Sequence, residues 1–93
     1  METEFEWDEA KAASNYARHG VTFDQAKRVF DDPFAVESLD EREYYGEDRF
    51  SVLGMVDGRL IYVAYTLRGD VIRIISARGA EPYEKRKYHE ANE

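Results

Sequence analysis

Two short turn sequences divide the second half of the chain into three runs of β-forming residues. Asp57-Gly58 separates residues 47–56 from residues 59–67, and Arg68-Gly69-Asp70 leads into residues 71–78. Asp-Gly favours a two-residue hairpin turn, because both central positions of that turn need a positive φ. Strands joined by such short turns must pair antiparallel. The sequence therefore predicts an antiparallel meander of three strands.

Helical patterns flank this meander. Asp8 can cap a first helix that Gly20 ends, and the spacing of Ala10, Ala13 and Ala17 predicts that these three residues form its inward face.

A second helix can begin at the capping box formed by Thr22 and Gln25 and must end before Pro33. Residues 35–39 read as a short edge strand, and residues 83–90 read as a charged closing helix. We therefore expect an α+β fold with an N-terminal helical hairpin, a three- to four-stranded antiparallel meander and a C-terminal helix.

The length of the chain limits it to one hydrophobic core. A chain of 93 residues buries too small a fraction of its surface on folding to form a second core. We therefore expect a single domain over residues 1–93. The absence of cysteine excludes disulfides and thiolate metal sites, and His19 and His89 are too far apart for a local zinc motif. We expect no metal and no cofactor.

The N-terminal residues are acidic, and the longest apolar run, residues 60–65, is too short to span a bilayer. We therefore expect no membrane association and a cytoplasmic location.

Charge is distributed unevenly along the chain. The net charge is −7, yet residues 1–48 hold 14 acidic and 5 basic side chains, whereas residues 49–89 hold 8 basic and 4 acidic ones. This asymmetry indicates an anionic ligand on one side of the molecule and a basic partner on the other. The alternative is an acidic surface that serves only solubility.

Five arginines lie in or beside the predicted meander, where strand pairing can bring distant positions together. A guanidinium stays charged, binds phosphate oxygens with two hydrogen bonds and stabilises charge that develops on a phosphoryl group. The alternative is that each one pairs with a nearby carboxylate such as Glu47, Asp48 or Asp70. The five are Arg49, Arg59, Arg68, Arg73 and Arg78.

Regular alternation would place Arg73 and Arg78 on opposite faces of their strand, and one β-bulge would bring them onto the same face.

Other side chains could assist such a site. Lys11 lies on a polar helix face, which is also the usual place for a residue that serves solubility. His19 could act as a general base, although a basic residue before Gly is also what helix termination favours. Tyr83 and Tyr88 could stack on bases or pack onto the sheet.

A longer set of residues, spread over nearly the whole chain, resembles the BrnT family of toxins. Two positions depart from that family's pattern, because Leu67 stands where Glu is common and Gly79 stands where Lys is usual. The residues that carry the resemblance are Phe5, Trp7, Asp8, Lys11, Asn15, His19, Gly20 and Val21, then Phe23, Ala26, Val29, Phe30 and Asp32, then Gly46, Glu47 and Arg49, then Thr66, Arg68 and Gly69, and finally residues 73–78 with Ala80, Glu84 and Tyr88.

The resemblance implies a RelE-like ribonuclease toxin of a type II toxin–antitoxin pair, which inhibits translation by cutting RNA. It also implies a BrnA-like cognate antitoxin. The toxin would contact operator DNA only through this antitoxin. Combined with the arginines, it suggests metal-independent cleavage that leaves a cyclic phosphate.

In that reaction Arg68 and Arg78 would clamp the phosphate and Lys11 and Arg49 would support them. Because arginine does not deprotonate in proteins, Glu47 or His19 would act as the base.

A different class of function uses the same residues without catalysis. The meander could present its arginines to RNA or to an acidic protein as a binding module. Direct DNA binding is disfavoured, because neither N-terminal helix has a basic face long enough for the major groove.

Overall fold

A computed structural model of the chain describes residues 3–40 and 48–93. Each predicted helix and strand overlaps an element of the structure, and one additional strand lies at the N-terminus. In chain order they are β1 (Glu4–Glu6), α1 (Glu9–His19), α2 (Phe23–Val29), β2 (Val36–Asp40), β3 (Arg49–Val56), β4 (Arg59–Arg68), β5 (Val71–Gly79) and α3 (Pro82–Ala91).

The strands form one sheet in the order β1-β5-β4-β3-β2. Strands β2, β3, β4 and β5 pair antiparallel with their neighbours in sequence, whereas β1 pairs parallel with β5. The mixed α+β class is confirmed, but the expected count of three or four strands is wrong because the sheet has five. Both central residues of the predicted hairpin turn have positive φ, 50° at Asp57 and 81° at Gly58.

Helices α1 and α2 pack on the sheet rather than mainly on each other. The predicted helical hairpin is therefore not confirmed as a helix–helix pair. Gly54 lets α2 approach closely, since a Cβ there would lie 2.6 Å from the Val29 side chain. The apolar core lies between these helices and the sheet and includes Phe23, Val63 and Ile74.

The inward face of α1 differs from the prediction. Ala10, Ala13 and Ala17 are exposed, whereas Asn15 is buried. The Asn15 side chain donates to the backbone carbonyl of Ala77 at 2.9 Å and accepts from the Ala77 N–H at 3.1 Å. Strand β1 covers only residues 71–73 of β5, so Asn15 satisfies backbone groups further along the same edge. The hydrogen bonds of Asn15, together with the packing of Ala12 against the core, orient this helix.

Helix α3 lies on the opposite face of the sheet and is anchored by its buried tyrosine. Tyr88 packs with Leu53 and Leu60, and its hydroxyl donates to Asp32 at 2.6 Å. Burial, together with the neighbouring Asp32 carboxylate, raises the pKa of Tyr88 to about 12. Within the described residues, no helix combines the length and apolar character needed to cross a membrane.

Candidate active site

An open cavity of about 740 Å³ lies on the sheet face that carries α3. Its floor is a row of small side chains that face one another across four strands, Ser38, Ser51, Ala64 and Ser76. Directly opposite residues in paired strands share a face of the sheet. Because these side chains are short, the floor is lower than its larger neighbours, and a depression results.

Basic side chains surround this floor. Arg49 lies at the start of β3, Arg78 lies near the end of β5, and Lys87 reaches in from α3, where its Nζ donates to Ser38 Oγ at 2.9 Å. Glu84 is the one carboxylate that lines the cavity among the described residues. The half-exposed Tyr83 ring stands at the side of the cavity, where a base could stack on it.

Two contacts fix the orientation of Arg78. Its Nη1 and Nη2 donate to the two carboxylate oxygens of Glu84 at 2.8 and 3.0 Å, and its guanidinium lies 4.2 Å from the centre of the Tyr62 ring. Bidentate pairing and cation–π stacking both restrict a guanidinium to one plane. Arg78 is thus held in place while part of its side chain stays accessible, with 28% of its surface exposed.

Glu84 is itself buried, and its carboxylate oxygens accept several hydrogen bonds. Besides Arg78, the backbone N–H of Glu81 donates to its carboxylate at 2.9 Å. Burial alone would raise the pKa of Glu84, but the hydrogen bonds from Arg78 and Glu81 outweigh burial and hold the pKa below its ordinary value. The same carboxylate raises the pKa of Arg78. Both groups are therefore ionised near neutral pH.

A β-bulge brings Arg73 onto the face of the cavity. The register of β4 with β5 shifts between Ala64 and Tyr65, so that Arg73 lies opposite Thr66 and Arg78 lies opposite Tyr62. Tyr62 and Thr66 share one face of β4, because they are four positions apart and side chains alternate along a strand. Regular alternation would have placed the two arginines on opposite faces. Arg73 is paired with Glu6, its neighbour on β1.

Arg68 lies on the same face but at the far end of the sheet. It stands opposite Val71 beside the β4–β5 turn, six residues along β4 from Tyr62. At about 3.3 Å per residue this separates it from Arg78 by roughly 20 Å along the strand. The structure therefore places Arg68 and Arg78 well apart along the sheet, which disfavours the expected clamp of these two side chains on one phosphate. Arg49 is the arginine that shares the cavity with Arg78.

Lys11 and His19 lie together beside a smaller cavity of about 170 Å³ between α1 and β5. Ile75 and Ser76 line both this cavity and the larger one. The bulged segment of β5 therefore forms a wall that the two cavities share. Helix α1 thus contributes a second group of polar and basic side chains next to the arginine face.

Glu47, the other candidate base, lies outside the described residues. Among the residues that the structure does describe, no group of three or more His, Asp or Glu side chains could hold a metal ion.

Several cavity residues were not identified from the sequence as site residues. Lys87, Tyr62, Ser38 and Ser51 belong to no motif, and only the strand register and the position of α3 reveal that they meet. The carboxylate partners of Arg73 and Arg78 also differ from those expected, since Glu6 and Glu84 take these places. Of the two tyrosines considered for base stacking, Tyr88 is buried and packs onto the sheet, whereas Tyr83 lines the cavity.

Comparison with known proteins identifies the family. No curated protein sequence shows significant similarity to the chain. Residues 7–84 match the family model of the ribonuclease toxin BrnT of type II toxin–antitoxin systems. That segment contains both helices that cover the core, β2 to β5 and the Arg78–Glu84 pair. The chain therefore belongs to the BrnT family of ribonuclease toxins.

Proposed function

We propose that this chain is a metal-independent endoribonuclease that inhibits translation by cutting RNA in the cavity above the serine floor, within a RelE-like fold. Membership of the family makes it a ribonuclease toxin with a protein antitoxin as partner. The observation that carries the proposal is the placement of Arg49, Arg68, Arg73 and Arg78, from three strands, on one face of the sheet.

In the proposed reaction the ribose 2′-oxygen attacks the adjacent phosphorus and the bond to the 5′-oxygen breaks. The products are a 2′,3′-cyclic phosphate and a free 5′-hydroxyl. Negative charge increases on the non-bridging oxygens as the new bond forms, and preorganised cations stabilise this charge. Arg78, already oriented by Glu84 and Tyr62, supplies one such cation, and Arg49 supplies another.

Proton transfer needs a base that a guanidinium cannot provide, because arginine stays protonated. His19 and Glu47 are the candidates. His19 lies across the bulged edge of β5 from the floor, with Lys11 beside the same small cavity. Arg68, roughly 20 Å along the strand from Arg78, would contact a neighbouring phosphate of the bound RNA rather than the reacting one.

The antitoxin would be BrnA-like and would connect the toxin to operator DNA. Acidic side chains dominate residues 1–48, so a basic antitoxin segment could bind that side of the molecule while the rest of the antitoxin covers the arginines. Its affinity should then fall as salt concentration rises. We place the pair in the cytoplasm, where its RNA substrate is.

A binding module without catalysis is the second candidate, and one observation favours it: Arg73 and Arg78 already have carboxylate partners. Incubation of the purified chain with RNA and excess chelator separates the two. Fragments that end in cyclic phosphate support the enzyme, whereas intact RNA with retarded migration on a gel supports the binding module and contradicts the proposal.

A further inference from the structure

A second depression, of about 510 Å³, lies on the other flank of α3. Lys85 and His89 line it from the helix, while Glu84 and Lys87 line the main cavity from the opposite flank. Arg59 enters the second depression from the first residue of β4. Three basic side chains from two elements therefore surround one concave surface.

A glycine makes room for the guanidinium of Arg59. A Cβ at Gly79 would lie 2.8 Å from Arg59 Nη2 and 3.4 Å from its Nε, so the guanidinium rests where a side chain at residue 79 would begin. The floor around it is apolar, with Leu60 and Ala80 among the lining residues. The exposed guanidinium thus lies beside a partly apolar surface and faces solvent, where a ligand can reach it.

Within the described part of the chain, no acidic side chain compensates the charge of this depression. No carboxylate lines it among the described residues, and in residues 3–40 and 48–93 neither Arg59 nor Lys85 forms an ion pair. Arg28, Arg73 and Arg78 all do form such pairs. In a chain with 20 acidic and 13 basic residues, cations that converge on a concavity without carboxylates mark a place for an anion.

The depression lies next to the main cavity at the end of β5. Arg78 lines the main cavity, and the next residues, Gly79 and Ala80, line the second depression. One step along a strand is about 3.3 Å. An RNA strand that leaves the main cavity past Arg78 and crosses the end of β5 would therefore pass close to the Arg59 guanidinium, which lies beside Gly79.

We propose that Arg59, Lys85 and His89 form a phosphate subsite that binds the RNA backbone next to the nucleotides held in the main cavity. The identity of the ligand rests on the proposed function. The basic side chains hold a phosphate on which no bond is broken, so this subsite contributes to affinity and to the direction of the strand.

The test measures binding and cleavage separately. Binding uses a fluorescent 2′-O-methyl RNA, which cannot be cleaved by its own 2′-oxygen. Arg59→Gln and Lys85→Gln should each weaken its binding about tenfold, because a charge-assisted hydrogen bond is lost. The slope of log affinity against log salt should become shallower by about 0.7 for each phosphate contact removed.

The matched control is Arg86→Gln, which removes the same charge from the same helix at a residue that lines neither cavity. Its affinity and salt slope should equal those of the wild-type chain. Gly79→Ala is a second variant, since it keeps every charge but places a methyl group against the Arg59 guanidinium. It should fold normally and bind RNA more weakly than the wild type.

Equal affinities for Lys85→Gln, Arg59→Gln and Arg86→Gln would overturn the subsite. A loss of antitoxin binding with RNA affinity unchanged would also overturn it, because the depression would then serve the protein partner. A third outcome separates the two proposals. If the wild-type chain binds RNA without cutting it and the two variants bind more weakly, the subsite is supported and the nuclease is refuted.

Discussion

Glu84→Gln removes the carboxylate that orients Arg78 and changes little else in size or shape. The carboxylate accepts two hydrogen bonds from Arg78 and one from the backbone of Glu81, and its side chain is only 4% exposed. Glutamine can keep one oxygen acceptor but turns an NH₂ group toward a guanidinium. Arg78 would then lose its nearest counter-charge and one of its two short contacts, while Glu81 stays at 3.9 Å.

The expected cost follows from these contacts. A hydrogen bond to a charged group contributes about 1.5–3 kcal/mol when buried. Because 28% of the Arg78 side chain is exposed, water replaces part of the loss, and we expect about 1–2 kcal/mol. For a domain of this size that lowers the Tm by roughly 5–15 °C.

The cost should depend on pH in one direction. The folded protein holds the pKa of Glu84 below the ordinary value of 4.5, so its contribution to stability is complete above that pH. The contribution is lost as the pH falls through the lower pKa of the folded state, because the protonated carboxyl then resembles glutamine. The stability difference between wild type and variant should therefore shrink in acid.

Urea unfolding of the two chains, at neutral pH and below the ordinary glutamate pKa, measures this difference. Glu90→Gln is the control, since Glu90 is exposed on the same helix, and it should alter stability by no more than about 0.5 kcal/mol. A Glu84→Gln variant as stable as wild type at neutral pH, or a difference that grows in acid, would refute the reasoning.

Two further substitutions test the contacts that position the site. Asn15→Leu leaves the backbone N–H and C=O of Ala77 without their side-chain partner. It should lower the free energy of unfolding by about 2–4 kcal/mol, as measured by thermal or urea unfolding. An unchanged stability would show that water bonds these two backbone groups equally well. Tyr88→Phe should cost about 1.5 kcal/mol and raise the pKa of Asp32 toward its ordinary value, as followed by NMR titration of that carboxyl; an unshifted pKa would mean that the Tyr88 hydroxyl does not hold it down.

The parts of the fold that local sequence determines were predictable. The positive φ angles of Asp57 and Gly58, the capping box of Thr22 and Gln25, and the stop at Gly20 each depend on neighbours within four residues. Strand β1 was missed because three residues carry too little periodicity to be recognised. Its existence depends on pairing with β5, which is more than sixty residues away.

The site was predictable as a set of residue types but not as an arrangement. Arg78 and Arg49 could be selected by their chemistry, since guanidinium groups suit phosphate. The bulge that places Arg73 on their face depends on how β4 and β5 fit together, and no local pattern in residues 71–78 signals it. The distance between Arg68 and Arg78 could not be predicted for the same reason, because the distance between two residues along a sheet follows from the register. The pairing of Glu84 with Arg78 depends on the position of α3 against the sheet, which the sequence does not specify.

The most direct test of the central claim is the single-turnover rate of RNA cleavage by Arg78→Ala. Loss of one preorganised donor to a developing oxyanion slows a reaction by about 10²–10³-fold, and we expect a loss of that size with antitoxin binding retained. Arg49→Ala tests the other end of the cavity independently. Arg28→Ala is the control, because its guanidinium is paired with Asp57 away from the cavity and its removal should leave the rate unchanged. A folded Arg78→Ala variant that cuts RNA at the wild-type rate would contradict the account.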